Sequence, residues 1–238
     1  MTISNPRVPL SSRTVGDIAA TIPGATGIFR RFKLDFCCGG DIALEDAARQ
    51  GGVDVAEVEH ALNSLDESGS AISVPQQTDD LIDHILTRYH ETHRRELPEL
   101  VKLGRKVEAV HSDHPQVPHG LADSLQQMLG KLEVHMKKEE LILFPAMRRK
   151  SAGGLDVPIA QMRHDHDDHG EHLRRLGSIT GNFTLPEGAC RSWQALYTGS
   201  AKLANDLIEH IHLENNVLFP RYEGGLRRAE ENSDRWEI

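Results

Sequence analysis

One pattern, written twice, constrains this chain of 238 residues more than any other feature. His135-Met-Lys-Lys-Glu139-Glu-Leu-Ile-Leu143-Phe144-Pro145 and His210-Ile-His-Leu-Glu214-Asn-Asn-Val-Leu218-Phe219-Pro220 both read H-x3-E-x3-L-F-P. On a helix, residues i and i+4 project from one face, about 6 Å apart along the axis. Each copy therefore offers an imidazole and a carboxylate side by side. Both copies also continue apolar seams. Leu121, Leu125, Met128 and Leu132 lead to His135 and Glu139, and that seam is expected to go on through Ile142 and Ala146. Leu196, Ser200, Leu203 and Leu207 lead to His210, Glu214 and Val217. A carboxylate sunk into such a seam is costly unless something compensates its charge. Two such helices face to face place two His and two Glu around one interior point, which is the chemistry of a metal site.

The rest of the chain is compatible with that arrangement. No stretch alternates β-branched and polar residues as a strand would, so the expected class is all-α. Short helical pieces are expected at Thr14–Ile22, Gly27–Lys33, Ile42–Gln50 and Val55–Asp66, with Asp54 as the N-cap of the last. Pro23–Gly24 and Gly51–Gly52 punctuate them. We read residues 1–66 as a small helical N-terminal domain, 67–77 as a polar linker, 78–224 as the main domain and 225–238 as a charged tail. The main domain holds four longer helical segments, near 78–111, 118–150, 158–180 and 188–222. Short connections between long helices favour an up-down four-helix bundle.

The other two bundle helices add candidate ligands. The chain carries 14 His against 11 aromatic residues, an excess that fits metal binding. On the third helix Ile159, Met162, His166, Leu173 and Leu176 mark the inward face, and His169 falls on the same stripe. On the first, Ile82, Leu86, His90 and Leu97 form a stripe flanked by Tyr89 and His93. Periodicity alone separates neither pair of histidines. One His from each of four helices plus two Glu gives six nitrogen and oxygen ligands, too many for one tetrahedral zinc and without thiolate. Two carboxylates suit a bridged pair of ions, and imidazole with carboxylate suits iron. The ferritin-like pattern needs two Glu-x-x-His units in the bundle. Here Glu57-x-x-His60 stands outside it, which excludes ferritin chemistry.

Composition removes several function classes. The formal net charge is −9, against broad binding to nucleic acid or an anionic membrane. The longest apolar run, Leu141–Phe144, is far short of the roughly 20 residues of a membrane span. The N-terminal residues show no apolar signal region. Three cysteines, two of them adjacent, make no disulfide framework. A soluble protein of the reducing cytoplasm is expected.

The doubled H-x3-E-x3-L-F-P on a four-helix bundle resembles the hemerythrin-like superfamily. Asp35-Phe36-Cys37-Cys38-Gly39-Gly40 ahead of such a bundle resembles the RIC family (repair of iron centres), di-iron proteins of bacterial responses to nitrosative and oxidative stress. The resemblance runs from about Val15 to Tyr222. It implies a hemerythrin-like fold with two iron ions as cofactor, and metal ligands His90, His135, Glu139, His166, His210 and Glu214. It selects His90 over His93, selects His166 over His169, which is left beside the site or on the surface, and makes the two glutamates bridging carboxylates. Lys131 stands one turn before His135, on the side expected to face the site, where an acid would be expected in some relatives.

Cys37 and Cys38 are the candidate reactive thiols. Adjacent cysteines form only a strained disulfide, and the backbone amides of the following Gly-Gly turn are expected to stabilise thiolates and lower their pKa. Roles open to the pair are thiol redox chemistry, transient contact with iron or a cluster, and nitric oxide chemistry. Cys190 is read as a buried hydrophobe. The resemblance implies repair of damaged iron-sulfur proteins, probed as iron that leaves readily for an apo-cluster acceptor. The alternatives are a module that binds or scavenges nitric oxide or dioxygen, and a di-iron reductase of nitric oxide or nitrite. Whether the chain is a monomer or a homodimer is left open by the residues.

Overall fold

The structure is a computed structural model that describes residues 9–65, 75–149 and 154–223. Most of the linker and the whole of the tail expected from the sequence lie outside these residues. Every regular element among the described residues is helical, and an isolated bridge pairs Thr14 with Ala43. The described residues divide into two compact units. One joins the N-terminal helices to Ile211–Arg221, and the other is built on Pro75–His210.

In the first unit, α1 (Val15–Thr21), α2 (Ala25–Phe32), α3 (Leu44–Gly51) and α4 (Val55–Asn63) follow the expected positions within a few residues. Their ends are fixed by local chemistry. The Thr14 side chain accepts from the Asp17 amide, and the Asp54 carboxylate accepts from Ala56 at 2.9 Å, each satisfying an N–H that the first turn leaves without a helical partner. Val15, Ile18, Phe29, Phe36, Leu44, Val58 and Leu62 are buried and form the core.

The second unit holds the bundle. Helix α5 runs over 78–110, α6 over 121–148 and α7 over Asp156–Thr180. Helix α8, residues 191–221, starts in this unit and its last turns belong to the first. α5 packs on α6 and α6 on α7. α8 comes close to α5 at Gly199, where an added Cβ would stand 2.6 Å from Leu100 Cδ2. Trp193, Leu196, Leu121, Leu125, Met128 and Ile82 fill the interior.

Three of the four long helices change pitch. α5 widens to a π-turn at Leu86–His90, α6 at Glu139–Leu143 and α8 at Leu213–Leu218. In α6 and α8 the Phe-Pro pairs, Phe144–Pro145 and Phe219–Pro220, follow the π-turn directly. Proline has no N–H and crowds the carbonyl four residues back, and here it falls where the ladder has already shifted register. The seam shifts with it. Ile142 is 62% exposed, while Leu143 and Met147 are buried, and in α8 Leu218 rather than Val217 is buried. A uniform 3.6-residue period placed Ile142, Ala146 and Val217 on the seam; one wide turn rotates everything after it.

Candidate metal centre

The π-turns lie where the ligand candidates are. His90 ends one, Glu139 begins another and Glu214 lies in the third. His90, His135, Glu139, His166, His210 and Glu214 are all buried, none more than 2% exposed. They form two sets. His90, Glu139, His210 and Glu214 each offer a ligand atom, all within 4.8 Å of one another, and His135, Glu139, His166 and Glu214 do the same. Both glutamates belong to both sets, as carboxylates bridging a pair of ions would.

The spacing within each set fits one ion. His90 Nε2 and His210 Nε2 are 3.1 Å apart, and His135 Nε2 and His166 Nε2 are also 3.1 Å apart. Two nitrogens bound to a single first-row ion at about 2.1 Å stand about 3.0–3.4 Å apart at right to tetrahedral angles. Glu139 is fully buried, and neither carboxylate oxygen has a hydrogen-bond partner among the described residues. One oxygen lies 3.4 Å from His90 Nε2 and the other 3.5 Å from His135 Nε2. Each oxygen thus faces a different set. A buried anion in this position calls for cations, and the all-nitrogen-and-oxygen donor set suits iron.

A surrounding layer of carboxylates fixes the imidazoles. His90 Nδ1 is 2.8 Å from Glu140 Oε1, and Arg94 holds Glu140 at 2.7 and 3.2 Å. His135 Nδ1 is 3.3 Å from Asp165 Oδ2, which also accepts from Lys138 at 2.7 Å. These partners commit Nδ1 and leave Nε2 for the metal, the usual way a protein orients such a ligand. Bonds from His135, Lys138 and Gln161 outweigh burial and hold Asp165 well below the usual carboxylate range. Glu140 is also held low: burial pushes it up, but Arg94 and His90 prevail.

His169 stands beside the site, one of the two places left open by the resemblance, while other residues depart from what the sequence suggested. His169 is 2% exposed and lies against His135, with ring centroids 5.0 Å apart. His93, expected at the flank, is 1% exposed and lies against His210. Burial and the neighbouring imidazoles hold both well below the ordinary histidine pKa, so they are neutral near pH 7. Lys131 is exposed and pairs with Asp168 at 3.1 Å instead of facing the site. Cys190 is only half-buried, with His111 Nε2 3.1 Å from its sulfur.

The thiol loop follows a different logic from the one expected. Asp35 Oδ1 accepts the backbone N–H groups of Cys37, Cys38 and Gly39 at 3.0–3.3 Å. The amides expected to stabilise thiolates are thus committed to a carboxylate. Cys37 Sγ lies 3.7 Å from Cys38 Sγ and 3.4 Å from Asp35 Oδ1. The Cys38 thiol, burial and the Asp35 charge push the Cys37 thiol well above its ordinary value, so it is protonated at neutral pH, the reverse of the expectation. Asp35, Cys37 and Cys38 also present ligand atoms within 4.8 Å of one another.

The loop is tied to the metal-bearing helix by two adjacent asparagines that periodicity did not single out. Asn215 Nδ2 donates to the Cys37 carbonyl at 2.8 Å and Asn216 Nδ2 to the Phe36 carbonyl at 2.9 Å. Gly16 and Gly40 make room for Asn216, since a Cβ on either would collide with its Oδ1. The signal available in the sequence was the Asn-Asn pair immediately after Glu214.

Comparison with known proteins matches this layout. The family model of the hemerythrin HHE cation binding domain matches residues 81–222, and that of a domain of unknown function, DUF542, matches residues 11–66. A probable iron-sulfur cluster repair protein of Haemophilus influenzae is 42% identical over 215 residues, covering 89% of this chain and 96% of its own. The iron-sulfur cluster repair protein YtfE of Dickeya chrysanthemi is 45% identical over 211 residues, covering 88% and 96%. That of Yersinia pseudotuberculosis serotype O:1b is 46% identical over 212 residues, with the same coverage.

Proposed function

The chain belongs to the iron-sulfur cluster repair family of hemerythrin-type proteins, and on that premise we propose that it restores clusters damaged by oxidative and nitrosative stress by supplying iron. The observation that carries this reading is the pair of ligand sets sharing Glu139 and Glu214, on a chain that also bears a vicinal thiol pair. Iron is the cargo here. His90 and His210 would hold one ion, His135 and His166 the other, and the two glutamates both.

The chain's own residues do three things in this scheme. Glu140 and Asp165 keep the His90 and His135 imidazoles turned with Nε2 inward. The glutamates would neutralise the ions in a buried interior, where an unpaired charge is costly. Residues 78–224 serve as the iron-holding part and 1–66 as the thiol-bearing part, with Cys37 and Cys38 as contacts for iron or for the acceptor during transfer. The acceptors are damaged iron-sulfur proteins. Cys37, Cys38 and Cys190 form no disulfide among the described residues, which suits a reducing compartment such as the cytoplasm. Among the described residues, no helix is long and apolar enough to cross a membrane.

The test follows isotopically labelled iron. Protein loaded with the label is mixed with an apo iron-sulfur enzyme and inorganic sulfide under reducing, anaerobic conditions, then separated from it. Label recovered in the acceptor together with regained acceptor activity is expected. Label that stays with the donor throughout overturns iron supply. Retention of full transfer by the Cys37→Ser, Cys38→Ser double variant removes the thiols from the mechanism.

A further inference from the structure

Two imidazoles outside the ligand sets occupy matching places around the centre. His93 lies three residues beyond His90 on α5, and His169 three residues beyond His166 on α7. That spacing puts each on the ligand-bearing face, one turn along. Each lies against a ligand of a different ion position. The His93 and His210 rings are 5.4 Å apart, and His169 meets His135 edge-on at 5.0 Å. Neither belongs to either ligand set.

The decisive observation is their hydrogen bonding. Both residues are buried, and neither ring nitrogen of either has a partner among the described residues. An ordinary core histidine satisfies at least one nitrogen, because buried polar groups are almost always bonded. Two histidines that do not, at equivalent positions beside the two ion sites, point to a ligand that arrives from outside. A neutral imidazole has one donor and one acceptor, and with both nitrogens uncommitted either tautomer is available. On the His169 side the imidazole also borders an opening to the surface. His169 lines an open cavity of about 670 Å³ with Lys131, Lys138, Asp165, Asp168 and His172.

We propose that His93 and His169 are binding residues for a small ligand of two or three atoms, a diatomic or a small linear anion, each lending a ring N–H to the ligand beside the neighbouring ion position. The inference rests on the reading that a pair of irons occupies the centre. It adds two recognition groups that the six ligands do not supply, and it makes the centre selective for ligands that accept a hydrogen bond.

Azide is the probe. The iron-loaded ferric full-length protein is titrated with azide, following visible absorption and the infrared azide stretch. Wild type is compared with His93→Ala, His169→Ala, the double alanine variant, and His93→Gln and His169→Gln. Iron per chain is measured for each. About two irons are expected throughout, with azide Kd weakened roughly three- to tenfold by each alanine, and largely restored by glutamine, which keeps an N–H donor. A shifted azide stretch in the alanine variants is expected too, an effect that a purely structural role would not produce. An azide Kd in the double variant within about twofold of wild type, at full iron content, overturns the proposal. Iron lost from the alanine variants overturns it as well, because the residues would then be metal ligands. Wild type with fewer than two irons overturns the underlying metal pair, a failure that iron analysis alone identifies.

Discussion

At the scale of single residues, the centre is built from groups that are unfavourable without bound cations. Glu139 has a fully buried carboxylate whose oxygens lack hydrogen-bond partners among the described residues. Replacing it by Gln keeps the shape and removes the charge. Glu139→Gln is therefore expected to raise the stability of the chelated protein by roughly 1–3 kcal/mol while abolishing binding of the iron pair. Urea unfolding in the presence of chelator and iron per chain measure the two halves. A variant less stable than wild type in its iron-free form would show that Glu139 is a structural partner of the imidazoles, not a carboxylate waiting for cations. Among the candidate ligands, His135, Glu139, His210 and Glu214 were legible because each pair recurs at i, i+4 on an apolar seam, whereas only the family resemblance singled out His90 and His166. His93 and His169 were not legible, since periodicity places a histidine on a broad face but says nothing about whether its nitrogens find partners.

The helical elements explain where the sequence reading slips. A hydrophobic seam read at a fixed 3.6-residue period stays in phase only while the pitch is constant. In α6 it holds from Leu121 to Glu139 and then fails, because Glu139–Leu143 forms a π-turn. The consequence is testable by substitution. Leu143→Ala, at a position 2% exposed, is expected to cost about 2–4 kcal/mol. Ile142→Ala, at a position 62% exposed, is expected to cost under about 0.5 kcal/mol. Equal costs, measured by urea unfolding, would place the seam back on the uniform period. The wide turn of α8 carries a second device. Glu214 and Asn215 are neighbours in the chain, and Asn215, 5% exposed, holds the Cys37 carbonyl. Asn215→Ala should loosen the thiol loop and speed alkylation of Cys37 about fivefold, the worth of one hydrogen bond. Peptide mapping after timed alkylation reads this directly. Because the Cys37 thiol is pushed well up, its labelling in wild type should still be rising above pH 9. An unchanged Cys37 rate in the variant would mean that Asp35 and Asn216 order the loop without Asn215.

Across the whole chain, fold class and bundle order followed from the seams and the Pro- and Gly-rich breaks. The long-range contacts that close the bundle did not, because no local pattern reports a partner 118 residues away. Arg88 on α5 donates to both Asp206 oxygens on α8 at 2.7 and 3.2 Å, and Lys202 adds a bond at 2.8 Å. Burial pushes the Asp206 carboxyl up, but the two cations outweigh it and hold it below its ordinary value. The sign of the linkage follows. A carboxylate with a lower pKa folded than unfolded stabilises the fold above the unfolded value, near 4, and loses that contribution as pH falls through the folded one. The Arg88 and Lys202 side chains are 42% and 48% exposed, so screening limits the effect to about 1–2 kcal/mol. The stability gap between wild type and Asp206→Asn should thus be full at about pH 6 and narrow steadily below about pH 4. Urea midpoints of the chelated proteins across that range measure it, and curves that stay parallel would mean that the α5–α8 closure owes nothing to the charge on Asp206.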